Sequence, residues 1–234
     1  MKRNCSKYHC AFWSHLLLLA LMIFLLTAQF LEAKTIATSS GITIDTTKEE
    51  QALTILNQPK SKATKTLIEK IKANPNDYNP TALYALSDAL FQLNEKEEAA
   101  FWFYVGQLRA RIDANLSMDK SAGGAVGVLN NYFGPQINQY TFSDLDKLTE
   151  TVAKVLEFVR NNEETYDRRW INLHGMNAVI SGVEGINAQA LSAPQNEWPA
   201  IKKKTIDEYE EGFNNLFTDP EFMQLLEAQR ASNQ

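Results

Sequence analysis

Leu145, Leu148, Val152, Val155, Leu156 and Val159 recur at intervals of three and four residues, the spacing that lines side chains along one face of an α-helix. No other feature restricts the possible folds as strongly, because the same period returns along most of the chain. Ser143 and Asp146 supply the start signal for this helix. Earlier, Glu49 to Leu56 reads as a short helix, and Ala63, Leu67, Ile68 and Ile71 mark an amphipathic one ending before Asn74-Pro75. Lys60, Lys62, Lys65, Lys70 and Lys72 give that region a solvated basic face.

Asn79-Pro80 pairs a cap residue with a proline at the first helical position, where a missing N–H costs nothing. Leu83, Leu86 and Leu90 are the stripe that follows. A break at Asn94-Glu95-Lys96 leads to a second helix, with Glu95, Glu97 and Glu98 at its positive end and Phe101, Trp102, Phe103, Tyr104 and Leu108 in its body. Residues 121–134 read as a helix of small residues that admits a close neighbour and ends at Gly134-Pro135. Their glycines fit neither the dinucleotide nor the triphosphate fingerprint. A further helix is expected from about Glu164 to Ser181, with Trp170, Leu173 and Ile180 as core anchors. Gly182 and Gly185 loosen the chain before Trp198 to Phe217, and Asp219-Pro220 caps Glu221 to Arg230. The expected fold is an all-α, single compact domain over 47–234 with about seven to nine helices, preceded by an extended linker with a short strand at 34–46.

The N-terminus follows signal-peptide grammar: Lys2, Arg3 and Lys7, a 13-residue apolar run from Leu16 to Ala28, then Leu31-Glu32-Ala33. The run fits the roughly 7 to 15 residues of a signal segment and falls short of the about 20 that span a bilayer. Residues 1–33 are therefore expected to be removed, giving a periplasmic product in a double-membraned cell and a secreted one otherwise. The alternative is an uncleaved anchor lengthened by Ala11, Phe12 and Trp13, which would still place the domain outside.

Both cysteines, Cys5 and Cys10, precede the apolar run, so the mature chain has neither a disulfide nor a thiolate. The whole chain carries a net charge of −5, and loss of Lys2, Arg3, Lys7 and Glu32 makes the remainder more acidic. An acidic domain lacks the basic footprint needed for nucleic acid, and stable adhesion to an anionic membrane is not expected after cleavage.

The stretch from Leu83 to Leu108 resembles one tetratricopeptide or Sel1-type repeat. Leu83, Leu86, Ser87 and Leu90 occupy the large-large-small-large positions of its first helix, and Glu97-Glu98-Ala99, Phe103 and Gly106 match the second. The match covers a single repeat. The resemblance implies an antiparallel helical hairpin and a role in protein–protein interaction.

The inventory for catalysis is short. His174 is the one histidine beyond the leader, so a His-rich zinc site is excluded within one chain and a Ser-His-Asp triad would have to use it. No cofactor or metal is called for, and no calcium-loop series occurs. On a helix, Asp167, Ile171 and His174 would share a side, with Arg168 and Asn172 one turn apart. Asp167 and His174 are accordingly the catalytic candidates, and Trp102, Tyr104, Arg168 and Arg169 the binding candidates. The plain alternative is a structural histidine, with Arg168 or Arg169 paired to Glu163, Glu164 or another helix. Asp207-Glu208 and Glu210-Glu211 read as the solvated side of their helix, and Phe101, Trp102, Tyr104, Tyr132 and Phe133 read together as core rather than an apolar ligand site between helices. These features favour an exported, non-enzymatic helical protein that binds another protein, either an envelope assembly factor or a periplasmic immunity-type protein. The alternative is a carboxylate-based hydrolase of envelope material, with His174 as an accessory.

Overall fold

The computed structural model describes residues 35–37, 43–58, 60–176 and 190–232. Within them are β1 (Thr35–Ala37), β2 (Thr43–Asp45) and eight α-helices: α1 (Thr47–Leu56), α2 (Lys62–Ala73), α3 (Pro80–Gln92), α4 (Lys96–Leu116), α5 (Gly124–Thr141), α6 (Leu145–Asn161), α7 (Trp198–Leu216) and α8 (Pro220–Ser232). The fold is all-α apart from one small hairpin. The leader, Ile180, Gly182 and Gly185 lie outside the described residues. The expected strand in the linker is β2, which pairs antiparallel with β1 in the register Ile36 opposite Ile44. Ile44 is fully buried.

Local chemistry sets most boundaries. Ser61 accepts from the Thr64 amide at the start of α2, and Asn79 accepts from the Ala82 amide at the start of α3, ahead of Pro80. The α3 end is a left-handed stop: Asn94 has φ 66°, the Glu95 amide reaches Leu90 O at 2.9 Å, and the Asn94 amide reaches Phe91 O at 3.0 Å. Asparagine tolerates this conformation better than most residues, and the two bonds satisfy carbonyls the helix leaves open. The turn folds α4 back along α3 as a helical hairpin. Gly106 permits the close crossing, since a Cβ there would stand 3.3 Å from Tyr84 Cδ2 and 3.4 Å from Leu83 Cβ.

α4 is the centre of the domain, packed against α3, α5, α6 and α7. Its buried residues include Ala99, Phe103, Val105, Leu108, Ile112 and Leu116, spread around the helix rather than along one stripe. Such a helix must be covered on all sides. α6 shows the opposite pattern, burying Leu148, Val152, Val155, Leu156 and Val159 on a single face as its period predicts.

Three boundaries differ from expectation. α6 is capped by Asp144, whose side chain accepts from the Lys147 amide, rather than by Ser143. α5 does not stop at Gly134-Pro135 but continues to Thr141 with Pro135 inside it. Gly134 lies against α4, where a Cβ would meet Phe103 Cζ at 3.1 Å, and this packing holds the helix on course. The segment expected to be helical from Glu164 is instead extended to Asp167 and then a 3-10 turn, Arg168–His174. The reason lies in what its side chains bind.

Candidate functional site

Arg109 and Asp113 are one turn apart on α4 and face the segment that follows α6. They are 0% and 1% exposed, depths at which an ionised group must be paired. Asp113 accepts three hydrogen bonds: from Arg168 Nε at 2.7 Å, Trp170 Nε1 at 2.8 Å and Tyr166 Oη at 2.9 Å. Tyr166, Arg168 and Trp170 alternate in sequence, and an α-helix would turn Arg168 to the side opposite the other two. Their convergence on one carboxylate therefore excludes the expected helix. Burial is the largest influence on Asp113 and raises its carboxyl above the ordinary range, while the Arg168 guanidinium and the three donors oppose it.

Around Glu164 a second carboxylate site forms, with its side chain 2% exposed. Glu164 Oε1 lies 3.5 Å from Arg109 Nε, and its Oε2 lies 3.5 Å from Arg168 Nη1 and 3.0 Å from Lys202 Nζ. Lys202 also donates to Asn162 O at 2.7 Å. Arg109 donates to Pro75 O at 3.0 Å and to Asn76 Oδ1 at 2.5 Å, and its guanidinium stands 5.2 Å from the Phe158 ring centre. The network thus joins α4, α7, the turn at Pro75–Asp77 and the segment after α6. Replacing one partner in such a cluster leaves a buried charge exposed to a low dielectric, which costs more than the intact cluster contributes.

One side of the network opens on a cleft of about 820 Å³ between the end of α6 and the start of α7. Glu164, Arg168 and Lys202 line it, Trp198 and Ile206 give it an apolar wall, and Arg160 and Asp207 also border it. The Trp198 indole is fixed by a 2.8 Å bond from Nε1 to Ala193 O, and Arg168 Cζ lies 5.5 Å from its ring centre. Arg160 contacts Glu210 and Asp207, and Lys203 binds Asp207 at 2.5 Å. Among the described residues no hydroxyl, thiol or imidazole lines this cleft.

The sequence candidates are dispersed. Asp167 does not orient His174. Its carboxylate caps the 3-10 turn through the Arg169 amide at 3.0 Å and pairs with the Arg169 guanidinium at 2.6 Å. Burial tends to raise the Asp167 carboxyl, but the bonds from Arg169 outweigh it and hold the group below its ordinary range. His174 is exposed, with its ring edge-on to Trp170 at 5.7 Å, and this partial desolvation lowers its pKa. Trp102 and Tyr104 are 5% and 6% exposed and belong to the core rather than to a binding surface. Tyr104 Oη meets Thr141 Oγ1 at 2.9 Å, and burial pushes the phenol to about 12. Of the six candidates, Arg168 alone enters the network and the cleft.

Sequence reasoning missed Arg109, Asp113, Lys202 and Trp198. The signal available was the all-round apolar character of α4, which implies that any charges within it are buried and need partners. Among the described residues no three His, Cys, Asp or Glu side chains converge to hold a metal, and no helix is long and apolar enough to cross a membrane.

Fold and site together define an all-α domain organised round one buried helix, with an internal ion cluster that surfaces in a cleft. No protein family, curated protein or solved structure was found to match the chain.

Proposed function

We infer that the chain is an exported, non-enzymatic binding domain whose partner is another protein. One observation carries the reading: among the described residues the cleft lining has no hydroxyl, thiol or imidazole, and two of its three carboxylates, Glu164 and Asp207, are already engaged by cations. Such a surface is suited to recognition rather than to nucleophilic or acid–base chemistry. The signal-like leader and the repeat-like α3–α4 hairpin support export and protein interaction, in the manner of an envelope assembly factor or a periplasmic immunity-type protein. The hydrolase alternative loses support because Asp167 is spent on Arg169 and His174 stands on the surface without it.

The test is recovery of the full chain, tagged at its C-terminus and expressed in its native host, from the extracytoplasmic fraction. The expected product is shortened by about the leader's length and brings down one stoichiometric protein at moderate salt. Retention of the full-length chain in the cytosol would refute export. A shortened product with no retained protein would refute the interaction.

A further inference from the structure

The ion cluster is one negative charge short. Arg109, Arg168 and Lys202 bring three cations to two buried carboxylates, Asp113 and Glu164. Elsewhere on the lining, Arg160 pairs with Asp207 and Glu210 and Lys203 pairs with Asp207, while Glu163 is exposed to water. The deficit coincides with an unmet donor. Arg168, with a side chain 7% exposed, leaves Nη2 buried without a hydrogen-bond partner. Arg109 Nε and Glu164 Oε1 are unbonded too, but they are opposite charges facing each other at 3.5 Å. Arg168 Nη2 has no oxygen within hydrogen-bonding reach.

Lys202 adds a second donor. Its ammonium carries three N–H groups, and two are used, on Asn162 O and Glu164 Oε2. Arg168 Nη1 and Lys202 Nζ flank the same oxygen of Glu164, so the spare donors lie on neighbouring groups of one wall. Beside them are the Trp198 face and Ile206.

We propose that this cleft binds a singly charged carboxylate carrying an apolar group, with Arg168 and Lys202 holding the carboxylate and Trp198 with Ile206 covering the apolar part. A single carboxylate matches the excess of one cation in the buried cluster, whereas a phosphate dianion overshoots it and adds desolvation cost. This deepens the binding reading, because the C-terminal carboxylate of a partner protein has this chemistry when its last residue is apolar. A free apolar acid is the other source.

The experiment titrates the intact protein with N-acetyl-leucine and N-acetyl-leucine amide, followed by calorimetry and tryptophan fluorescence, with inorganic phosphate as comparator. The acid is expected to bind and to alter the Trp198 signal, identified by its loss in Trp198→Phe. The amide should bind about tenfold more weakly or worse, the scale of a charge-assisted hydrogen bond. Lys202→Gln should weaken the acid by a similar factor and leave the amide unchanged. A short peptide ending in leucine, compared with its C-terminal amide, separates the sources: binding of the free-carboxylate peptide assigns a chain terminus, and binding of acetyl-leucine alone assigns a small acid. Equal binding of acid and amide, preference for phosphate, or no acid binding each overturns the proposal. The acid–amide comparison uses unaltered protein, so misfolding of a variant does not obscure it. Loss of this result with the protein partner still captured would refute the carboxylate site while leaving the binding role intact.

Discussion

Asp113→Asn keeps the shape of the side chain and removes its charge, which makes it the sharpest probe of the core. In the native domain Asp113 receives Arg168 Nε, Trp170 Nε1 and Tyr166 Oη at 2.7 to 2.9 Å while 1% exposed. The asparagine retains one acceptor oxygen, turns an NH₂ toward groups that donate, and leaves the Arg168 guanidinium without its nearest counter-ion. Breaking a buried pair in this way costs about 3 to 5 kcal/mol, a large share of the roughly 5 to 15 kcal/mol that holds an ordinary domain together. Thermal unfolding should therefore fall by about 6 to 20 °C for a domain of this size. In urea the midpoint should drop with the slope unchanged, which separates lost stability from a changed unfolded state. Arg168→Met in the same background should recover part of the loss, since it removes the stranded cation. A single-variant loss below about 1 kcal/mol, within the range of an exposed ion pair, would refute the view that this carboxylate organises the site.

Three further outcomes follow from local geometry. Gly106→Ala should be nearly neutral, because contacts of 3.3 to 3.5 Å with Tyr84, Leu83 and Pro80 oppose a helix-propensity gain of about 1 kcal/mol; Gly106→Leu should cost about 1 to 3 kcal/mol or more by forcing α3 and α4 apart, as read by chemical unfolding. Asn79→Ala, which removes the bond to the Ala82 amide, should cost about 1 kcal/mol in the same assay. His174 should titrate by NMR below the ordinary histidine range because its desolvation favours the neutral form. Its contribution to stability is then fully present above the unfolded-state pKa of about 6.5 and is lost as pH falls from there through the folded-state value, since the unfolded chain binds the proton first; His174→Gln should flatten stability across that window, and an unchanged pH profile would contradict the assignment.

The sequence announced its helices where one residue's preference and the long-range packing agree. Asn79-Pro80 and Asp219-Pro220 each open a helix, and the α6 stripe buries the residues its period selects. It misled where tertiary contacts overrule local preference. Pro135 marks a stop on its own account, yet α5 continues because Gly134 packs on Phe103. Residues 164–174 carry helix-compatible side chains, but Asp113 draws in three alternate ones, Tyr166, Arg168 and Trp170. The site was legible at Arg168 and in its pairing with Glu164, both named from a local polar cluster. The other members of the cluster sit 55 positions earlier, at Asp113, and 34 later, at Lys202, and periodicity within a window holds no record of separations that long.

The position of α4 within the chain has a consequence for the order of synthesis. Residues 79–116 emerge early and can form the hairpin from neighbouring segments alone. At that moment Arg109 and Asp113 have no Glu164, Arg168 or Lys202 to meet, because those residues have not yet been made. Sealing the hub then would strand two ions in an apolar interior, so the early hairpin must stay open to water until the last third of the chain arrives. Completion of the charge cluster is thus the event that licenses closure, and a chain interrupted before residue 202 should remain loose however well its individual helices form.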